Sequence, residues 1–168
     1  MKKLIISLIM FLSTAQYVPI RSLLTIKTLP AFIGQTIDGE SVTQDIMSKG
    51  GVILFFRSTC GYCLLEYPTW IKMHEQFPDV PMVMVLHKQT AQSIKQFFHS
   101  HDNPFDYVRE DSNNQLWDSF GARSTPESFI FDQQTKLIGH QGYIRGGTAV
   151  LEEKLRRIAT YNQLNTEK

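Results

Sequence analysis

The chain has 168 residues, which is long enough for one domain of ordinary size with its own hydrophobic core. Hydrophobic residues make up 42% of the chain and charged residues 20%, a composition that excludes a disordered protein. The formal net charge of +1 provides no bulk attraction for nucleic acid, so no nucleic-acid partner is expected.

The first fifteen residues differ in composition from the rest. Two lysines precede an apolar run from 4 to 12, and small residues follow at 13–15. This order predicts a cleaved signal peptide over residues 1–15, because the apolar run is short for a membrane-spanning helix. An uncleaved N-terminal anchor is the alternative, and residues 16–28 are interpreted as a linker. Export predicts a location in the periplasm or cell envelope, where disulfide chemistry is an ongoing activity.

The remaining chain predicts one domain over residues 29–161, followed by a short tail at 162–168. Short apolar runs indicate strands, and apolar residues at helical spacing indicate helices. The predicted strands cover 32–37, 40–42, 52–57, 81–86, 127–131 and 137–141, and the predicted helical segments cover 45–48, 64–76, 91–99, 116–120 and 148–161. The pattern predicts an α/β fold, with a central mixed sheet flanked by helices and an N-terminal β-hairpin that turns at Asp38-Gly39.

The sequence Cys60-Gly61-Tyr62-Cys63 holds the only two cysteines of the chain and follows the apolar run 52–57. Two thiols at the first turn of a helix can form and break a disulfide, and the helix N-terminus favours a thiolate on Cys60. The alternatives are an inert structural disulfide or half of a zinc site. A zinc site needs further ligands at short spacing, and His99 and His101 lie in a different segment. No metal and no cofactor is therefore expected, and the pair predicts a redox motif.

About residues 29–160 resemble the thioredoxin superfamily, and within it the exported TlpA/ResA/DsbE-type thiol-disulfide oxidoreductases. The matching pieces are Leu29-Pro30-Ala31-Phe32, Asp38-Gly39, the cysteine pair after its apolar run, Pro68, Asn103-Pro104-Phe105, the segment from Pro126 to Asp132, and Gly142. The resemblance implies a thioredoxin-like enzyme that reduces disulfides of exported proteins, with apocytochrome c as one candidate. It also implies cysteine-bearing protein substrates and a membrane or periplasmic dithiol that donates electrons.

Four residues depart from that pattern. Thr59 replaces the usual tryptophan, Gly61-Tyr62 lacks the proline common between the cysteines of reductive members, and Thr125 stands where alanine is frequent. These residues instead resemble the active site of the isomerase DsbC, so a protein disulfide isomerase is the alternative function. A non-catalytic thioredoxin-like binding module is the alternative from another class. A peroxidase is disfavoured because the chain has no Pro-x-x-x-Thr-x-x-Cys sequence.

The predicted catalytic residues are Cys60, Cys63 and Glu66. Cys60 is expected to attack a client disulfide, and Cys63 to resolve the mixed disulfide that results. Glu66 lies one helical turn past Cys63, where ResA- and DsbE-like members place an acidic residue, and it can accept the proton of Cys63. The alternative is an ordinary solvated glutamate. Leu54 occupies the position at which plain thioredoxins bury an acidic residue, which removes that competing proton acceptor.

The predicted substrate-binding residues are Tyr62, Thr125 and Pro126. Thr125-Pro126 resembles the cis-proline of the superfamily, which predicts a cis bond beside Cys60 and a Thr125 backbone that holds an extended client segment. The alternative is that Pro126 simply begins a strand. Tyr62 either lines the substrate face or is a surface aromatic, and Trp70 is interpreted as a packing residue.

Overall fold

The computed structural model of this protein describes residues 26–145 and 147–166. The predicted signal peptide or anchor and most of the predicted linker lie outside the described residues. Across the two described ranges, no helix is both long enough and apolar enough to cross a membrane.

A five-stranded sheet, a separate two-stranded hairpin and four α-helices form the described fold. The strands are β1 (Ile33–Gln35), β2 (Ser41–Thr43), β3 (Gly51–Phe56), β4 (Met82–His87), β5 (Tyr107–Asp111), β6 (Glu127–Phe131) and β7 (Leu137–Gln141). The helices are α1 (Gly61–Gln76), α2 (Ala91–Phe98), α3 (Gln115–Phe120) and α4 (Ala149–Thr166), with a 3₁₀ helix at Gln44–Met47. The predicted α/β thioredoxin-like class is confirmed.

The five-stranded sheet is mixed and has the order β5-β4-β3-β6-β7. β3, β4 and β5 are parallel, whereas β6 is antiparallel to β3 and β7 is antiparallel to β6. The carboxyl ends of the parallel strands therefore share one edge of the sheet with the start of β6 and the end of β7. Open α/β sheets place their functional sites at this edge.

Both faces of the sheet are covered, which explains why β3 and β4 are apolar without alternation. All six residues of each strand are buried. Val52, Leu54 and Phe56 pack against α1, α2 and α4 on one face. Ile53 and Phe55 pack against α3 and the hairpin on the other face. Because β3 is held between these two layers, the position of its end at Phe56 is fixed, and the cysteine motif follows directly after it.

The sequence patterns missed β5, because three of its five residues are charged. Arg109 and Asp111 in this strand are buried, with 8% and 1% of their surfaces exposed. The hairpin covers the strand, since the backbone N–H of Ile37 donates to the Val108 carbonyl at 2.8 Å. Polar residues that are buried by a neighbouring element do not produce an apolar pattern, so the strand was not recognised.

The limits of α1 and α4 differ most from the predictions. α1 begins at Gly61 rather than Leu64, so the second cysteine lies inside the helix. α4 begins at Ala149 and continues to Thr166, beyond the predicted end at Tyr161. Part of the predicted C-terminal tail is therefore helical.

Candidate active site

The loop from 57 to 60 joins the end of β3 to the start of α1. Gln89, in the loop after β4, holds this segment through its side-chain amide. Gln89 Oε1 accepts the backbone N–H of Ser58 at 2.8 Å, and Gln89 Nε2 donates to Ser58 Oγ at 2.5 Å. The two contacts fix the backbone two residues before Cys60.

Cys60 is the N-cap residue of α1, the end at which the N–H groups of the first helical turn have no partner within the helix. Partial burial alone would raise the pKa of Cys60. Hydrogen bonds from the Cys63 thiol, the backbone N–H groups of Cys63 and Tyr62, and the Thr125 hydroxyl outweigh burial and lower this pKa. Cys60 is also the partly exposed thiol of the pair, as the sequence predicts.

Cys63 has the opposite environment, because its side chain is fully buried in the core beneath α1. Burial, together with the neighbouring Cys60, raises the pKa of Cys63 to about 12. Hydrogen bonds from the Arg57 backbone N–H and from Thr125 oppose this shift without cancelling it. The two sulfurs thus differ sharply in acidity and access, although they are one helical turn apart.

The Thr125-Pro126 peptide bond is cis, so this prediction is confirmed. The Cys60 thiol donates to the carbonyl oxygen of Thr125 at 3.1 Å, across 65 residues of sequence. The predicted position of this segment beside Cys60 is therefore confirmed as well. With both cysteines as free thiols, the Thr125 carbonyl is directed at the Cys60 sulfur. An incoming client segment would have to replace that hydrogen bond.

The carboxylate of Glu127 holds the loop that carries Thr125. Glu127 is 4% exposed, and its Oε2 accepts the backbone N–H groups of Arg123 at 2.6 Å and Ser124 at 2.9 Å. Its Oε1 lies 2.6 Å from Nε2 of His140 on β7. Charge-assisted hydrogen bonds of this type are stronger than neutral ones, so Glu127 ties the loop to the sheet.

Glu66 is a buried residue of α1 rather than a solvated one, with 3% of its surface exposed. Its Oε1 accepts the indole N–H of Trp70 at 2.8 Å, and its Oε2 accepts the backbone N–H of Ile144 at 2.7 Å. Burial raises the pKa of Glu66, and these two hydrogen bonds limit the rise. Trp70 is fully buried as a packing residue and is also the donor that orients this carboxylate. Leu54 is buried within β3.

Tyr62 lies on the surface beside the reactive loop, with 56% of its side chain exposed. Its ring centroid is 5.0 Å from that of Tyr143, which lies in the segment after β7. The two tyrosines form an aromatic pair next to the thiols, although they are far apart in sequence. The structure thus brings all six predicted site residues to one edge of the sheet.

The sequence reasoning did not identify Gln89, Glu127 or the segment 143–144 as parts of the site. Glu127 offered a signal, because an acidic residue that begins an apolar strand needs a buried partner. Gln89 and Ile144 offered none, since their contacts in the site lie 31 and 78 residues away in sequence.

Within residues 26–145 and 147–166, no group of three or more His, Cys, Asp or Glu side chains could hold a metal ion. His99 and His101, which were weighed as zinc ligands, are both exposed. The ring of His101 stacks on Phe97 with 4.0 Å between the centroids. Each thiol is a hydrogen-bond partner of the other thiol.

One curated relative shares 26% identity over 90 residues with this chain. It is named "Probable thiol:disulfide interchange protein DsbE-2" and comes from Pasteurella multocida. The match covers 54% of this chain and 46% of the relative, so the aligned part spans about half of that protein's length. This relative supports the resemblance to DsbE-type proteins that the sequence motifs indicated.

Solved structures share the fold at lower sequence identity. A secreted disulfide oxidoreductase of Mycobacterium tuberculosis, described as homologous to DsbE of E. coli, has a TM-score of 0.66 at 15% identity. That match covers 75% of this chain and 95% of the other. StoA from Bacillus subtilis has a TM-score of 0.63 at 20% identity, with 77% of this chain and 98% of the other covered.

The family assignment rests on a match over most of the domain. The model of the AhpC/TSA family matches residues 26–140, a range that runs from the hairpin through both halves of the site to β7. The thioredoxin-like arrangement of sheet, cysteine pair and cis-proline agrees with that match. The chain therefore belongs to the AhpC/TSA family.

Proposed function

We propose that this protein is a thiol-disulfide oxidoreductase in which Cys60 is the nucleophile and Cys63 the resolving thiol. One observation carries the proposal: the partly exposed Cys60 has a lowered pKa, whereas the buried Cys63 has a raised one. A thiolate is the attacking species in disulfide exchange, so this difference gives the two thiols an order of reaction. The name of the relative from Pasteurella multocida agrees with this function.

The reaction has two exchange steps. The Cys60 thiolate attacks one sulfur of the client disulfide, so a Cys60–client bond forms and the other client sulfur leaves as a thiolate. The Cys63 thiolate then attacks the Cys60 sulfur and releases the second client thiolate. Two electrons pass to the client, the two protons of Cys60 and Cys63 end on the client thiols, and a Cys60–Cys63 disulfide remains. An external dithiol must reduce that disulfide before the next turnover.

Glu66 is proposed to accept the proton of Cys63 in the second step. A thiol with a pKa of about 12 is almost fully protonated at neutral pH, so resolution needs a base. Glu66 lies one turn further along α1, and burial raises its pKa, which makes its carboxylate a stronger base. The bonds from Trp70 and Ile144 leave a second lone pair on each carboxylate oxygen for that proton.

The client is proposed to bind as an extended segment along Thr125 and Pro126, next to Tyr62. The backbone of Thr125 offers hydrogen-bonding groups beside Cys60, in the manner of an added strand. Tyr62, two residues after Cys60, is exposed and offers an aromatic surface. The client disulfide would then lie over the reactive thiol while its flanking residues contact Thr125 and Tyr62.

The cellular task that we propose is the reduction of disulfides in exported proteins, in the periplasm or cell envelope. The DsbE-like segments of the sequence favour apocytochrome c as one client, and a membrane or periplasmic dithiol as the electron donor. The Gly61-Tyr62 dipeptide and Thr125 instead favour disulfide isomerisation, which is the second candidate. A binding module that makes no use of the thiols is disfavoured by the opposite pKa shifts of Cys60 and Cys63.

The test measures turnover and reduction potential in the same protein. The wild-type protein should catalyse reduction of a disulfide peptide by an added dithiol, whereas Cys60→Ser should be inactive. Cys63→Ser should attack once and remain trapped as a mixed disulfide. A potential near that of thioredoxin, about −270 mV, would assign the protein to reduction, and one near about −120 to −180 mV would assign it to isomerisation or oxidation. Absence of exchange in the wild-type protein would refute the proposal.

A further inference from the structure

The loops at the sheet edge near Cys60 carry a net positive charge. The loops that meet there are 57–60, 88–90, 112–114 and 121–126, together with the described residues after β7, 142–145 and 147–148. Together they contain four cationic residues, Arg57, Lys88, Arg123 and Arg145, and no Asp or Glu. We call these four residues the basic rim. The net charge of the whole chain is only +1, so the rim is a local feature rather than a reflection of overall composition.

Contacts locate two rim residues on the β3 and β4 side of the thiols. The carbonyl oxygen of Arg57 accepts the backbone N–H of Cys60 at 3.1 Å, and the Nε of Arg57 is buried with no partner among the described residues. Lys88 is exposed and precedes Gln89, which holds Ser58 in the reactive loop. Both cations therefore lie within a few residues of direct contacts to the motif.

The other two rim residues lie on the β6 and β7 side. Arg123 is exposed and lies two residues before Thr125, whose carbonyl contacts Cys60. Arg145 is exposed and follows Ile144, through which its segment is bonded to α1. The four cations thus lie in loops that follow β3 and β4 and in segments that adjoin β6 and β7, rather than in one loop.

Acidic residues at the ends of the adjoining strands do not offset this charge at the surface. Glu110, Asp111 and Glu127 are buried or half-buried, and each accepts backbone N–H groups of the protein. The donors are Ala91 to Glu110, Leu116 and Trp117 to Asp111, and Arg123 and Ser124 to Glu127. Their carboxylates are held by backbone N–H groups of the protein, whereas Lys88, Arg123 and Arg145 are exposed.

Other cations of the chain do pair at the surface. Lys72 lies 3.1 Å from Glu152, and Lys95 lies 2.8 Å from Asp38. No rim residue forms an ion pair with any residue in the described ranges. Asp118 on α3 and Glu153 on α4 are exposed in the helices that follow two of these loops, and two carboxylates against four cations leave the edge positive.

An apolar surface adjoins the rim. Leu65 is 68% exposed and lies one turn beyond Tyr62, which is 56% exposed, so both project from the same side of α1. Tyr143 extends this surface through its ring contact with Tyr62. We call these three residues the tyrosine ledge, which offers an apolar and aromatic contact within the positively charged surroundings of Cys60.

We propose that the basic rim and the tyrosine ledge dock an extended, acidic, cysteine-bearing segment of a partner protein. The partner's carboxylates would face Lys88, Arg123 and Arg145, and an apolar side chain near its cysteine would rest on the tyrosine ledge. This inference rests on the proposed function and adds the chemistry of the partner. Charge complementarity is its basis, because solvent-facing cations of one sign steer oppositely charged partners and raise association rates.

The experiment compares three disulfide peptides of equal length, with acidic, neutral or basic residues flanking the same cysteines. The readout is kcat/KM for reduction by the full chain at low salt. We expect the acidic peptide to exceed the basic one by about tenfold or more, and the difference to shrink toward parity at about 0.5 M salt. The small neutral compound hydroxyethyl disulfide measures exchange without docking. Absence of hydroxyethyl disulfide reduction would refute the proposed function. Equal kcat/KM values for all three peptides would overturn only the docking proposal.

A charge-matched pair of variants tests the location of the docking surface. K88Q combined with R123Q should lower the ratio of acidic-peptide to hydroxyethyl-disulfide turnover by about fivefold or more. The control, K49Q combined with K136Q, removes the same charge from exposed lysines at the opposite edge of the sheet and should leave that ratio unchanged. An equal effect of both pairs would indicate net charge alone and overturn the proposal. Binding to vesicles of anionic lipid that requires Lys88 and Arg123, with no peptide preference, would instead assign the rim to a membrane surface.

Discussion

Glu66→Gln should separate the two exchange steps of this site. The substitution keeps the shape of the side chain and an amide oxygen, but it removes the group that we propose accepts the proton of Cys63. Attack by Cys60 does not use Glu66, because the hydrogen bonds that stabilise the Cys60 thiolate come from Cys63, Tyr62 and Thr125. The variant should therefore form the mixed disulfide at a normal rate and resolve it slowly.

The magnitude follows from the environment of Cys63. With a pKa of about 12, roughly one Cys63 in 10⁵ is a thiolate at pH 7. The share of that shift caused by the neighbouring Cys60 disappears once Cys60 is in a mixed disulfide, but burial remains. Loss of a general base typically lowers a rate by about a hundredfold or more, so we expect resolution to slow by that factor near neutral pH.

The assay uses 2,2′-dithiodipyridine, a neutral disulfide that releases an absorbing thione at each step. Stopped-flow mixing with the reduced protein should give a fast phase from Cys60 and a slower phase from Cys63. In Glu66→Gln the slower phase should rise about tenfold per pH unit, because only the rare thiolate reacts. In the wild-type protein the same phase should fall at low pH, as Glu66 becomes protonated and can no longer accept a proton.

Trp70→Phe provides the matched control for this prediction. It removes the indole N–H that bonds to Glu66 Oε1 while keeping an aromatic ring in the core. Since that donor lowers the pKa of Glu66, its loss should move the low-pH decline of the slower phase to higher pH without abolishing the phase. A slower phase that is identical in wild-type protein and Glu66→Gln from about pH 6 to 9 would refute the role of Glu66 as a base.

Three further predictions concern acidity and packing. Iodoacetamide at graded pH should label Cys60 at lower pH than Cys63, and preferential labelling of Cys63 would reverse their roles. Thr125→Val removes a hydroxyl that lowers the pKa of Cys60, so it should raise that pKa and shift the reduction potential of the cysteine pair. The free energy of unfolding should change by no more than about 1 kcal/mol. A Cys60 pKa that is unchanged when followed by thiolate absorbance would contradict this prediction. Phe55→Ala should lower the free energy of unfolding by about 3–5 kcal/mol in urea titrations, because the buried ring of Phe55 contacts three other aromatic rings. The control, Ile33→Ala at an exposed position, should change that free energy by less than about 0.5 kcal/mol. Equal effects of the two substitutions would contradict the packing argument.

Local sequence patterns were sufficient to predict most of the fold. The apolar run that became β3, the helical spacing of α4 and the limits of β6 and β7 all reflect residues that interact with near neighbours or with a continuous core. β5 could not be found in this way, because three of its five residues are charged and the strand is covered by the hairpin. Whether a charged residue is buried depends on the tertiary structure, so a local sequence pattern cannot predict it.

The same distinction applies to the site. Cys60, Cys63 and Glu66 lie within seven residues of sequence and could be related by helical spacing alone. The position of Thr125 beside Cys60 came from a resemblance to a family, and the structure confirms it through one hydrogen bond. The amide of Gln89 on Ser58 could not be predicted by either route, because it depends on how two loops meet above neighbouring strands.

Buried carboxylates give this site its rigidity and its surface charge at the same time. Glu66 accepts from the backbone of Ile144, Asp111 from the first residues of α3, and Glu127 from the loop before the cis-proline. Hydrogen bonds to a charged acceptor contribute about 1.5–3 kcal/mol each. They can therefore hold segments that lie outside the strands and helices and lack the regular hydrogen bonds of those elements. Because these acidic groups are directed inward, the cations of the same loops remain uncompensated at the surface. The positive surroundings of Cys60 therefore follow from the way in which the fold positions its reactive loops.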